Sequence, residues 1–334
     1  MKKEKIIAQN KRHLFELIEK EISECGHKCD LTHIDVSMVN DMSYLFYQSP
    51  FDGDISFWDV SKVKNMRYMF SYSPFDGDIS AWNTSNVIDM KSMFYESQFN
   101  NDISQWDVST VEDMSYMFAG SVFNKDIGVW NVSKVKDMSY MFTGSVFNRD
   151  LSLWDVSNVE NMNYMFFNSK FNSVISEWNV FSVKSMQYMF GSSVFNKNIS
   201  QWNTSNVKIM SNMFQHSAFN QNISAWNTCN VEDMSYMFSD SKFNGDISQW
   251  DVSTVKNMNR MFFNSQFNAD VKAWNVSKVK NMADMFYGCK APLPYWAKIE
   301  NHKDRKNSIE TYHQKKQLEE NINHTQLIKN TLKI

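Results

Sequence analysis

The chain has 334 residues, of which 43% are hydrophobic and 21% charged, and a formal net charge of −3. Such a length allows a sizeable core or two domains, and the small net charge gives no reason to expect a nucleic-acid or anionic-membrane partner. No segment approaches the roughly 18 apolar residues of a membrane span, and 23 Met and 26 Phe beside only 9 Gly and 4 Pro mark an unusual interior.

Tryptophans at 58, 82, 106, 130, 154, 178, 202, 226, 250 and 274 recur every 24 residues without one insertion, and they set the frame for everything else. The N-terminal "MKKEKIIAQNKRHLFELIEKEI" starts basic but never reaches an apolar run of signal-peptide length, so the chain as written is expected to be cytoplasmic. Within it, "KRHLFELIEKEISEC" (11–25) has helical spacing. Counting back 24 from Phe46 and Ser49 reaches Ile22 and Cys25, while Phe15 and Ile18 fall in the Val and Met columns. Residues 1–29 are therefore expected to form a helical cap over the first open edge of a stack.

Residues 30–290 form the repeat. The first unit, "DLTHIDVSMVNDMSYLF" (30–46), has Ile34 in the Trp slot, and ten Trp-bearing units follow. Each keeps Val at the Val63 position, Met at the Met66 position and Phe at the Phe70 position. All methionines but Met1 and Met38 belong to the Met66 or Met69 columns. A period of this size signals a solenoid whose units bury their apolar faces only against their neighbours. In "DISFWDVS" the apolar residues Trp58 and Val60 are two apart, with Ile55 just upstream, which predicts a short strand. In "SKVKNMRYMF" they recur at 63, 66, 69 and 70, which predicts a helical turn capped by Asp59 or Ser61. The expected fold is an α/β solenoid of about eleven units, stacked at ~4.8 Å per strand into a rod or shallow arc on the order of 50 Å long. After residue 290, "CKAPLPYW" breaks the register, and Trp296 is expected to lie over the last open core. Residues 297–334 are polar, with weak apolar spacing at Ile309, Tyr312, Leu318 and Ile322, and are expected to be a loosely docked or flexible helix. Residues 291–334 are thus read as a C-terminal cap and tail.

"IxxWxVxxV" resembles the strand segment of the leucine-rich repeat, with Val in place of its usual Asn. "VKNMRYMFSYS" (63–73) is similar to the BspA-type repeats of bacterial surface proteins, with Ser73 in their Cys position. The signature "FNxDISxWDVSxVxxMxxMF" resembles most closely a 24-residue repeat family of mycoplasma proteins of unknown function, over roughly residues 30–290. The resemblance implies a leucine-rich-repeat-like solenoid, display on a bacterial surface or secretion by an unconventional route, and a role in adhesion.

Few residues offer chemistry. "FDGD" at 51–54 and 75–78 suggests a calcium loop, but the Asp54 column becomes Val174, Asn198 and Asn222, and the Asp52 column becomes Asn in eight units. Turn capping is the favoured reading, with a calcium-dependent adhesin as an alternative. The residue after each Trp is always Asp or Asn (Asp59, Asn83, Asp107, Asn131 and Asp155 in the first five), which predicts a polar ladder from unit to unit. The Trp and Met columns are read as core, not as a sugar platform or an oxidation sensor. "CGHKCDLTH" raises zinc, but Cys25 and Cys289 fit the small-residue column of Ser73, and Cys229 fits that of Ser61, so no metal site is assigned. No catalytic residue and no cofactor are assigned either.

The clue to function is variation on the frame. The residue before each Trp is variable and includes Phe57, Val129, Leu153 and Glu177. Val174 and Phe181 break the polar rule nearby. These positions, expected on an exposed strand face, are the candidate contact for a protein partner. The function expected is a non-enzymatic, adhesion-type interaction scaffold, the alternative being a purely structural repeat protein that self-assembles through its ends or its tail.

Overall fold

The computed structural model describes residues 4–299 and 301–331. Its regular elements lie at the two ends of the chain. They are strand β1 (Ile6–Ile7), helix α1 (Lys11–Cys25), strand β2 (Ile34–Asp35), a 3-10 turn (Tyr295–Lys298) and helix α2 (His302–Thr331). Between β2 and the 3-10 turn the described residues form neither helix nor extended strand, only turns joined by isolated parallel bridges. The strand expected at 55–60 and the helical turn expected at 63–70 are therefore corrected.

Each unit is a succession of four-residue turns. The amide of Trp58 donates to the carbonyl of Ile55, Val63 to Val60, Met69 to Met66 and Ser73 to Phe70, at 2.8–3.2 Å. Such a turn brings residues three apart to one side, as a helical turn does, so apolar spacing alone reads the two alike. Helix is ruled out by the backbone itself. Tyr68 and Tyr72 have φ of 57° and 55°, and the equivalent pair is left-handed in every unit from Tyr44/Gln48 to Asp284/Gly288. A left-handed non-glycine residue costs about 1–2 kcal/mol, so something must offset it each time.

Hydrogen bonds between units supply that offset. The amides of Met66, Tyr68, Phe70 and Tyr72 donate to the carbonyls of Asp89, Lys91, Met93 and Tyr95 at 2.8–3.0 Å. Alternate amides thus close turns within a unit and the rest bind the next unit, which accounts for this segment's donors. The bridges step by 24 from Asp41–Asn65 to Asn257–Asn281. The indole N–H of each Trp donates to the carbonyl 27 residues earlier, from Trp58 to Leu31 (3.0 Å) through Trp274 to Ile247 (3.2 Å). Trp, Met and Phe columns form one continuous buried stack, as their periodicity predicts. Where Thr replaces Val in the core, at Thr84, Thr204 and Thr228, the hydroxyl donates to a carbonyl of the next unit, so none of these three buried hydroxyls is orphaned.

The ends close on the core. Asn10 caps α1 through the amide of His13, and Gly26 ends it at φ 81°. Leu14 and Ile18 are buried on the first unit, whereas Phe15, expected in the Val column, is 47% exposed. The segment before α1, given no element by the sequence, pairs as β1 in parallel with β2. At the other end Trp296 is fully buried, its ring 6.0 Å from Phe286 and its indole donating to the carbonyl of Lys272. It stands where the next Trp would. Helix α2 buries Arg305 and Ile309 but exposes Leu318 and Ile322, so the tail docks through its first turns.

Candidate interaction surfaces

Phe57, Val129, Leu153 and Glu177 lie at the third position of the turn that each following Trp amide closes, and all are exposed. Leu153 is 81% and Val129 67% exposed, against 2–4% for the Trp beside each such site. They are turn tips, not strand residues, which corrects the face expected from sequence while leaving its exposure intact. Val129 and Leu153 occupy neighbouring units, Phe57 stands three units earlier, and Glu177 follows in the unit after Leu153. Phe181 is half-exposed on the next turn, its amide donating to Asn179 and its carbonyl accepting from Asn206.

The polar ladder expected after each Trp does not run between units. Asp59, Asn83, Asp107, Asn131 and Asp155 each accept the amide two residues ahead, at Ser61, Ser85, Ser109, Ser133 and Ser157, at 2.9–3.2 Å. Each stabilises its own turn. The hydroxyls of Ser61 and Ser109 first, and then their amides, hold the Asp59 and Asp107 carboxyls below the usual carboxylate range. The ladder that does cross units is the Asp52 column. The side-chain oxygen of Asp52 accepts from the amide of Asp76, Asp76 from Asn100, Asn100 from Asn124, and so on to Asn244 and Asn268, at 2.8–3.2 Å. An amide oxygen does this as well as a carboxylate and without like-charge repulsion, which is a physical reason for Asn in eight units. Asp54 and Asp78 accept the amide and hydroxyl of Ser56 and Ser80, the turn capping favoured from sequence.

A third feature escaped the sequence reading. The tyrosines at 116, 140, 164 and 188 stack face to face at 4.3–4.6 Å along the inter-unit hydrogen bonds, and Tyr44 and Tyr68 stack at 4.7 Å. Ser92 interrupts the row, and Tyr95 packs edge-on against Tyr72 and Tyr116 there. Burial first, then neighbouring tyrosines, push Tyr116 and Tyr164 up to about 12, so both remain neutral at physiological pH. Their faces cover one another, leaving edges half-exposed. Recurrence of Tyr at the 68 position was the available signal.

Glu112, Lys136, Glu160 and Lys184 alternate in one column, with ion pairs Lys136–Glu112 (2.8 Å) and Lys184–Glu160 between consecutive units. They are exposed and stabilise little individually. In the "CGHKCDLTH" segment, Cys25 donates to the carbonyl of Glu21, whose carboxylate lies 3.2 Å from His33. Cys289 bonds the carbonyl of Phe267 and receives the amide of Ala291, the part that serine plays elsewhere. Among the described residues no three His, Cys, Asp or Glu side chains gather as a metal-binding group, and no helix is long and apolar enough to cross a membrane.

A family model described as "Mycoplasma protein of unknown function, DUF285" matches residues 16–122, 73–170, 97–194, 144–241, 191–296 and 217–324. No curated protein and no solved structure matches the chain. These overlapping matches run through nearly the whole 24-residue stack, and the chain belongs to the DUF285 family of mycoplasma repeat proteins.

Proposed function

We propose that the chain is a leucine-rich-repeat-like solenoid that acts as a non-enzymatic protein-interaction scaffold. Supporting the solenoid is a gradient in spacing between equivalent rings of successive units. It is 4.3–4.7 Å for stacked tyrosines, 5.5–5.9 Å in the Phe70 column and 6.3–6.5 Å for stacked tryptophans. Units closer on one side than the other stack into an arc, with the tyrosine side inside and the turn tips outside. The hydrogen-bonded segment of each unit then stands where a leucine-rich repeat has its strand.

One observation carries the functional reading: adjacent turn tips expose Val129 and Leu153, and among the described large apolar side chains only Phe57, in the same column, is more exposed than Leu153. Apolar side chains held in water at fixed positions are contact points for another protein. Affinity capture from lysate of the source cells with wild-type bait and with Val129→Asp and Leu153→Asp baits tests this. Loss of the captured protein by at least about tenfold, roughly 1.4 kcal/mol, is expected from either variant. Melting should stay within about 1 °C of wild type, because neither side chain is packed. Unchanged capture by both variants would sink this face.

A further inference from the structure

Every inner unit is satisfied on both sides, but the two outermost are not. In the last unit, the amides of Met282, Asp284, Phe286 and Gly288 have no acceptor among the described residues. Their equivalents one unit earlier, Met258, Arg260, Phe262 and Asn264, donate to Asn281, Ala283, Met285 and Tyr287. In the first unit the complementary lack appears. The carbonyls of Asp41, Ser43, Leu45 and Tyr47 accept from no described amide, although Asn65, Arg67, Met69 and Ser71 at the same places accept from Met42, Tyr44, Phe46 and Gln48. One edge is a row of four donors, the other a row of four acceptors, both with a two-residue step and both in the 24-residue frame.

The caps explain why these rows stay open. Helix α1 covers the first unit with Leu14 and Ile18, and a groove lined by Lys11, Arg12, Phe15, Ser43, Tyr44 and Leu45 remains beside it. At the other end Trp296 and Arg305, whose guanidinium donates to the carbonyl of Val279 at 2.8 Å, close the core side. A cleft of 320 Å³ remains there, with Met282, Asp284, Phe286, Tyr287 and Leu293 in its lining. Met282 and Phe286 are only partly buried, whereas every other member of their columns is fully buried. Each open row therefore has uncovered apolar side chains beside it: Phe15 and Tyr44 at one end, Tyr287 and Leu293 at the other.

We propose that the occupant of each edge is a second copy of this chain, joined head to tail, with Met282, Asp284, Phe286 and Gly288 of one molecule donating to Asp41, Ser43, Leu45 and Tyr47 of the next. Polarity dictates the arrangement. A donor edge cannot pair with a donor edge, so the contact is heterologous and does not close on a twofold axis. The step from residue 282 to residue 41 of the next molecule reproduces, in register, the step from 258 to 281 within the chain. The caps hold the core sides apart, so contact is confined to the hydrogen-bonding rows and their apolar margins. An interface that small is weak, and association depends on concentration.

The full chain in sedimentation velocity, from about micromolar to about millimolar, decides the matter with two double variants. One carries Phe15→Asp and Tyr44→Asp at the acceptor edge, the other Tyr287→Asp and Leu293→Asp at the donor edge. All four side chains are exposed, but Tyr44 stacks on Tyr68 and Tyr287 on Phe263, so each variant is expected to melt somewhat below wild type, and a cooperative circular dichroism melt confirms that it is folded. Wild type is expected to form dimers and longer species as concentration rises, and each variant alone to stay monomeric. An equimolar mixture of the two variants should form a dimer and nothing longer, because one intact edge of each kind remains. Wild type that stays monomeric throughout overturns the proposal, as does a variant that dimerises by itself or a mixture that fails to dimerise. Leu153→Asp should leave self-association unchanged, so failure of the partner reading and failure of this one are distinguishable.

Discussion

Asp89 shows how a single residue is constrained by its neighbours in the stack. It is half-buried, accepts the amide of Lys91 at 2.9 Å, and bridges to Asp113, which in turn bridges to Asp137. Burial above all, with the charge of Asp113 adding, pushes its pKa up. A carboxyl whose folded pKa is raised favours the folded state when protonated. That contribution is complete below the unfolded value near about 4 and is lost as pH rises through the folded value, so ionised Asp89 is a liability at neutral pH. Asn65 and Asn161 fill the same position and accept the same amide at 3.1 and 3.0 Å. Asp89→Asn is therefore expected to raise the melting temperature by about 1–2 °C at pH 7, and the gain should vanish as pH falls below the raised pKa. Melts from neutral to acid pH check both parts. A gain that persists in acid would contradict the electrostatic account.

At the scale of the unit, backbone direction decides which side chains matter. The left-handed pair in each unit sends alternate amides to the next, and the Asp52 column adds one side-chain bond per step. Asn148 illustrates its part: its side-chain oxygen accepts the amide of Asn172 at 2.8 Å. Asn148→Ala should cost about 0.5–1.5 kcal/mol in denaturant unfolding, since the exposed bonds from the Asn172 amide and, at 3.3 Å, the Ser173 hydroxyl are lost. Asn148→Asp keeps an acceptor, as Asp52 and Asp76 do, and is expected to lie close to wild type. Equal losses from both would mean that the side chain works by packing, not by accepting a hydrogen bond. This column was visible in the sequence only as a loop that varies between Asp and Asn. The column after Trp, which looked like the ladder, closes local turns instead because its oxygen meets the amide two residues ahead.

For the whole molecule, the proposed solenoid implies that stability is a sum of unit and neighbour terms, so length should be adjustable in steps of one period. Deleting residues 131–178, two whole units, joins Trp130 to Asn179, the same kind of step that joins Trp130 to Asn131 in the intact chain. The shortened protein is expected to fold cooperatively with a lower unfolding slope in denaturant. Deleting 131–166, one and a half units, shifts the core columns of one half against the other and should abolish cooperative unfolding. Equal behaviour of the two deletions would refute an additive stack.

The sequence by itself determined the period, the number of units, the buried columns from Ile55 to Phe70, the helical cap at 11–25 and the covering role of Trp296. Each is a matter of which residues must leave water, and burial repeats wherever the frame repeats. It also marked Phe57, Val129 and Leu153 as exposed, because they vary beside positions that do not. Only the tertiary structure decided that the unit is built of turns, that the inter-unit bonds run through 66–72, and that the tyrosines line up along them. Residues three apart face one way in a helix and in a turn alike. The sign of φ that separates them is carried here by Tyr, Ser, Glu and Arg as well as Gly, so composition could not announce it. The open donor and acceptor edges were hidden for the same reason, since the destination of a backbone amide is not written in its side chain.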